Sequence, residues 1–202
     1  MKAIIFDIDG TLIDSMSIDT EQYFLSIEDV LGPVKIRQDL TDYDHVTDTG
    51  ILTQLFEDNG RVAGPKEIAN IQSVFVERLK RAIENEGPFR AIDGAAEFFG
   101  KARVRSDTRV AIATGGWRRS AMLKLQSAGI DFDGTHLVTS DDASARVEIM
   151  RLAIDRLGKD FESITYFGDA EWDRRACKDL GWKFVAVGPR LDGIESYAGL
   201  DI

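Results

Sequence analysis

The stretch Lys2-Ala3-Ile4-Ile5-Phe6-Asp7-Ile8-Asp9-Gly10-Thr11-Leu12-Ile13-Asp14-Ser15 runs from an apolar segment straight into closely spaced carboxylates. A buried strand ends where its side chains would otherwise keep entering the core, so Asp7 and Asp9 are expected at the carboxyl end of a first strand. In an open α/β sheet that edge is where ligands bind. Two carboxylates on alternate residues repel each other, Gly10 permits a sharp turn and Thr11 adds a hydroxyl. The segment therefore calls for a cation and an anion to organise it, the pattern of a metal-assisted phosphoryl-transfer loop.

Working outward, short apolar runs recur at Val110 to Ala113, His136 to Thr139, Ile164 to Phe167 and Phe184 to Val187. They read as further buried parallel strands. Helical patterns lie between the later runs, at Arg118 to Ala128, Arg146 to Leu157 and Glu171 to Leu180, and each is followed by a glycine suited to a helix C-terminus. This alternation predicts right-handed crossovers and an α/β fold, a doubly wound parallel sheet with a Rossmann-like core. Residues 16–90 break the alternation, because Ser17 to Leu31, Asp48 to Asn59 and Pro65 to Asn85 read as helices without a strand among them. The expected organisation is an α/β core of residues 1–15 and 91–202 carrying an all-helical cap, residues 16–90. A cap entered directly from the acidic loop sits above it, placed to exclude water and to read a substrate.

Composition narrows the function classes. A chain of 202 residues with 44% hydrophobic content has enough material for a substantial core. Its formal charge of -10 disfavours a nucleic-acid backbone or an anionic membrane as the main partner, and a small anionic substrate would need local positive charge. The single cysteine, Cys177, cannot form an internal disulfide, and no run is long and apolar enough to span a bilayer. The expected setting is the cytoplasm. Oligomeric state is not legible from the sequence.

Two further strand ends supply what the first loop needs. Thr114-Gly115-Gly116-Trp117 follows the second strand, where a hydroxyl and the N–H groups of two glycines opening a helix make a suitable anion cradle. Gly168-Asp169-Ala170-Glu171-Trp172-Asp173 follows the fourth, where Asp169 leaves the strand as Asp7 does and Asp173 can face back from the first helical turn. Asp169 and Asp173 read as the remainder of a magnesium shell.

The Asp7 loop, the Thr114 turn and the Asp169/Asp173 pair, in this order, resemble the haloacid dehalogenase-like superfamily of phosphohydrolases across essentially the whole chain. The resemblance implies that Asp7 is the nucleophile, becoming an aspartyl phosphate. It implies that Asp9 protonates the leaving oxygen and later activates water, while its backbone carbonyl ligates the metal. The family's bridging cation is usually lysine, and here Arg146 is the candidate; a guanidinium forks across two oxygens where an ammonium acts as a point charge. Magnesium suits the oxygen ligands offered by Asp7, Asp9 and Asp169, with Asp173 either a ligand or a supporting residue.

Substrate contacts are expected from Gly115 and Gly116. Arg118 is read either as a substrate contact or as part of a solvated first turn, and Thr47 and Asp48 as helix caps that do or do not also reach the substrate. The reading is a Mg2+-dependent phosphatase acting on a small phosphorylated metabolite of the sugar phosphate, phosphoglycolate or nucleotide class. A phosphomutase of the β-phosphoglucomutase type and a non-catalytic phosphate- or metal-sensing module are the alternatives.

Overall fold

The computed structural model describes residues 1–158 and 160–201. In chain order the elements are β1 (Lys2–Phe6), β2 (Ile13–Asp14), α1 (Met16–Leu31), α2 (Asp48–Asp58), α3 (Pro65–Glu86), β3 (Arg90–Ala91), α4 (Ala95–Val104), β4 (Thr108–Ala113), α5 (Arg118–Ser127), β5 (His136–Val138), α6 (Arg146–Leu157), β6 (Ser163–Gly168), α7 (Glu171–Leu180) and β7 (Lys183–Ala186). Five strands form one parallel sheet in the order β5-β4-β1-β6-β7. The winding changes direction beside β1, and the crevice this opens lies at the carboxyl ends of β1, β4 and β6.

The central strand is apolar throughout because both of its faces are covered. Ile4 and Phe6 enter one core cluster with Phe98, Phe99 and Leu125, whereas Ile5 enters another with Tyr166, Ile149 and Cys177. Phe6 stacks on Phe167 at 4.9 Å and meets Phe99 edge-on at 5.4 Å. The α4 helix was not part of the sequence expectation. Ala95, Phe98, Phe99 and Ala102 give it an apolar face, but Gly100 in its middle weakens the local signal.

The segment between β2 and β3 is helical, as its periodicity suggested. In α3 the buried positions Ile71, Phe75, Val76, Leu79 and Ala82 form one stripe that packs on α1, and Pro65 occupies the first turn, where its missing N–H costs nothing. Fully burying a side chain such as Phe75 or Leu79 contributes about 1.5–3 kcal/mol. Ile13 and Asp14 pair antiparallel with Ala91 and Arg90, so the chain enters and leaves this segment side by side. Its apolar residues, including Tyr23, Ile27 and Leu55, belong to the same cluster as Phe6 and Leu125. No helix is long and apolar enough to cross a membrane among the described residues.

Candidate active site

Asp7 is the first residue beyond β1, and its N–H donates to the Phe167 carbonyl at 2.9 Å, which ties the loop to β6. The chain then folds back on itself: the amides of Thr11, Leu12 and Ile13 all donate to the Ile8 carbonyl. Gly10 stands at φ +72, and a side-chain carbon added there would overlap the Asp169 carboxylate. Only glycine meets both demands. Gly168 is similarly pressed, with Asp173 Oδ2 at 2.7 Å from where a Cβ would stand.

These close approaches gather Asp7, Asp169 and Asp173, whose carboxylate oxygens come within 4.8 Å of one another. All three are buried, and Asp7 Oδ1 and Asp173 Oδ2 have no hydrogen-bond partner. Burial is the main reason each carboxyl is displaced upward: Asp7 is raised against the pull of Arg146, Asp169 is pushed up to about 7 with the Asp7 charge adding, and Asp173 reaches about 8 despite Arg146. Partnerless buried oxygens on two of these acids, with Asp169 beside them accepting, among the described residues, only from Arg190 Nη1 at 3.2 Å, are what an oxygen-loving divalent cation would satisfy.

Arg146, at the start of α6, faces the same cluster. Its Nη1 lies 3.4 Å from Asp7 Oδ1 and its Nε 3.4 Å from Asp173 Oδ1, yet neither nitrogen makes a hydrogen bond. Gly115 allows this approach, since a Cβ there would stand 2.7 Å from Arg146 Nη2. A buried guanidinium with two unpartnered nitrogens can take the oxygens of an anion such as phosphate.

Asp9 goes elsewhere. The sequence reading offers its backbone carbonyl to the metal, and the carboxylate is engaged apart from that: it accepts from Ser15 Oγ at 2.5 Å and from Lys124 Nζ at 2.6 Å on both oxygens. Lys124 also donates to Asp19 Oδ1 at 2.5 Å and is fully buried. Burial would drive the proton off this ammonium, but Asp19 and Asp9 outweigh it and hold Lys124 above the ordinary lysine range. Asp19 is pushed up to about 6 by burial and by Asp9, against the pull of Lys124.

Neither Lys124 nor Asp19 was singled out in the sequence, although a signal existed. Lys124 lies on the buried face of α5 with Ala121 and Leu125, and Asp19 on that of α1 with Tyr23 and Ile27. Opposite charges on the apolar stripes of two helices predict a buried pair wherever the stripes meet.

The Thr114 turn is narrower as a cradle than expected. Gly116 N–H donates to Thr114 Oγ1 at 3.2 Å and Trp117 N–H to Asp48 Oδ2 at 2.8 Å, so two of its amides are engaged. Asp48 also donates its own N–H to the Gly115 carbonyl, fastening the start of α2 to the turn. Thr47 Oγ1 accepts from Gly50 N–H, as a cap does, and donates to the Ser144 carbonyl. Both residues line a cavity of about 550 Å3, counted out to its open mouth, together with Asp7, Asp9, Thr114, Gly115, Gly116, Arg146 and Asp169. Arg118 does not reach it. Its guanidinium donates to the Leu137 carbonyl and to Asp142 Oδ2, which turns it away from the cavity.

A hydrolase from Pseudomonas syringae superposes with a TM-score of 0.71 at 21% identity, covering 93% of this chain and 84% of the other. CbbY from Rhodobacter sphaeroides, in complex with phosphate, gives 0.70 at 23% identity over 98% and 91% of the two chains. The β-phosphoglucomutase of Clostridium difficile gives 0.68 at 14% identity over 94% and 86%. At these identities the likeness concerns the fold. No curated protein matches the sequence. The family model of the haloacid dehalogenase-like hydrolases matches residues 1–181, so this chain belongs to that family of enzymes.

Proposed function

We propose that this hydrolase is a magnesium-dependent phosphatase that removes phosphate from a small phosphomonoester through an aspartyl phosphate on Asp7. The observation that carries the reading is the unsatisfied Arg146 guanidinium set between two buried acids, with its Nη1 3.4 Å from the partnerless Asp7 Oδ1 and its Nε 3.4 Å from Asp173 Oδ1. Arg146 Nε and Nη1 would take two phosphate oxygens, and Thr114 Oγ1 stands at the next strand end to take a third. Asp7 then attacks phosphorus as the bond to the leaving alcohol breaks.

The leaving oxygen requires a proton, and Asp9 is the acid within the same loop. To give a proton, its carboxylate must first take one up and release a bond to Lys124, whose ammonium holds both oxygens. In the second half-reaction Asp9 as carboxylate accepts a proton from water, which attacks the aspartyl phosphate and frees phosphate and Asp7. Asp7, Asp169 and Asp173 would hold Mg2+, with the Asp9 carbonyl as a further ligand; the ion supplies the positive charge that lets a phosphate dianion approach these acids. Residues 16–90 are the cap over this site, residues 1–15 and 91–202 the core. A buried, unpaired Cys177 accords with a cytoplasmic setting.

Phosphate release from p-nitrophenyl phosphate tests the reading. Activity should require Mg2+, vanish with a chelator, and fall by about 10⁴-fold or more in Asp7→Asn. Equal residual activity in the wild type and this variant would exclude the enzymatic mechanism.

A further inference from the structure

The space between Asp7 and the helical segment is bounded by acids. A carbon placed on Gly116 would stand 3.7 Å from Thr114 Oγ1 and 3.8 Å from both Asp48 Oδ2 and Asp9 Oδ2, so these groups converge on one point of the cavity. Asp19 lines the same cavity. Burial, with the Asp19 charge next, pushes the Asp48 carboxyl well above the ordinary range, as expected where negative charge is in excess.

Positive charge here is already engaged. Lys124 has three protons and three acceptors at 2.5–2.6 Å, two oxygens of Asp9 and one of Asp19, which leaves it no donor for a ligand. Arg146 is the one cation lining the cavity among the described residues, and it stands at Asp7 where the transferred phosphate belongs. A helix start such as that of α2 attracts anions where its amides are free. Asp48 occupies that position with its own carboxylate, and the Asp48 and Gly50 amides are bonded to the Gly115 carbonyl and Thr47 Oγ1. What remains on the cap side is uncharged, mostly apolar surface from Tyr23, Phe24 and Ile51 with Thr20 among them.

We infer that the site accepts phosphomonoesters whose alcohol carries no second anionic group, and that Asp48 and Asp19 are the residues that turn away phosphorylated acids and bisphosphates. This rests on the phosphatase reading above and deepens it. A second phosphate or a carboxylate on the leaving group would meet the excess of acid left where Asp9 and Asp19 share one ammonium, and an Asp48 carboxyl that already resists ionising, with no free cation to pair with in a partly desolvated cavity. A hydroxyl can donate to the same carboxylates without that penalty.

Two matched pairs separate these cases: glycerol phosphate against phosphoglycerate, and fructose monophosphate against fructose bisphosphate. Each compound is assayed for phosphate release and as a competitor of p-nitrophenyl phosphate hydrolysis with Mg2+ present, so that a ratio is obtained whether or not it turns over. In each pair the member whose only anionic group is the phosphate to be removed should be favoured about tenfold or more over the one with a second anionic group, the anionic member of the comparison. Thr20→Arg, which adds a cation to the cavity lining from a partly exposed position of α1, should move both ratios toward the anionic member by about tenfold. Asp48→Asn, which keeps an acceptor for the Trp117 amide, should move them the same way by a smaller factor. Equal or better performance by the anionic members in the wild type, with p-nitrophenyl phosphate still hydrolysed, overturns the inference alone. Inertness toward every ester overturns the phosphatase reading and the inference with it.

Discussion

Two buried charge clusters lie on either side of the Asp7 loop, and they are built on opposite principles. In the first, Asp7 and Asp173 flank Arg146 at 3.4 Å, Asp169 stands beside them, and two carboxylate oxygens and two guanidinium nitrogens are left without partners. In the second, Asp9 and Asp19 enclose Lys124 at 2.5–2.6 Å, and every ammonium proton has an acceptor. Buried polar groups are ordinarily satisfied, so the open cluster points to ligands and the closed one to architecture. The two are joined through adjoining positions of one loop: Asp7 belongs to the open cluster and Asp9 to the closed one. The loop thus holds the Asp9 carboxylate in a close grip while leaving Asp7 Oδ1 unbonded.

The largest expected effect comes from breaking the closed cluster. Lys124→Met leaves Asp9 and Asp19 buried without compensation, a loss of about 3–5 kcal/mol of stability. For a chain of this size that corresponds to a fall in Tm of about 6–20 °C, readable by thermal denaturation. A silent Lys124→Met would remove the contrast between the clusters.

A smaller effect sharpens the account of the open cluster. Asp169 at about 7, Asp173 at about 8 and the raised Asp7 all hold protons in the folded state that the unfolded chain releases near pH 4. The folded state therefore binds more protons than the unfolded one between these limits, and stability of the metal-free protein should fall as pH rises from about 4 to about 8. Mg2+ replaces those protons, so its stabilising effect on Tm should be small at about pH 5 and large at about pH 8. A metal effect independent of pH would show that these acids do not form the cation site.

The smallest effect is expected outside both clusters. Arg118 is tied to Asp142 and the Leu137 carbonyl, and its side chain is 38% exposed. Arg118→Ala should lower stability by about 1 kcal/mol or less and leave kcat/KM within about twofold. A loss of activity well beyond that would return Arg118 to the substrate site.

Part of this site was legible because it is local. Asp7, Thr114 and Asp169 each follow an apolar run of a few residues, and a strand end places them on the same rim whatever the rest of the chain does. Arg146 was found by its place ahead of β6 within a recognised order of motifs, and the structure brings it to Asp7. The exchange between Asp9 and Lys124 was not legible in the same way. It joins residues 115 positions apart, and depends on which faces of α1 and α5 meet.

The chain's own letters determined the alternation of strands and helices, the helical segment after the first strand and the acids at the strand ends. Each follows from periodicity, turn residues and covalent neighbourhood within a few positions. Tertiary structure alone decided that Lys124 is enclosed by two acids, that Asp48 fills the end of the helix it begins and locks it to Trp117, and that Arg118 turns away. Those outcomes depend on the angle at which helices pack and on the balance between desolvation and pairing at one point in space, and no stretch of sequence contains both partners.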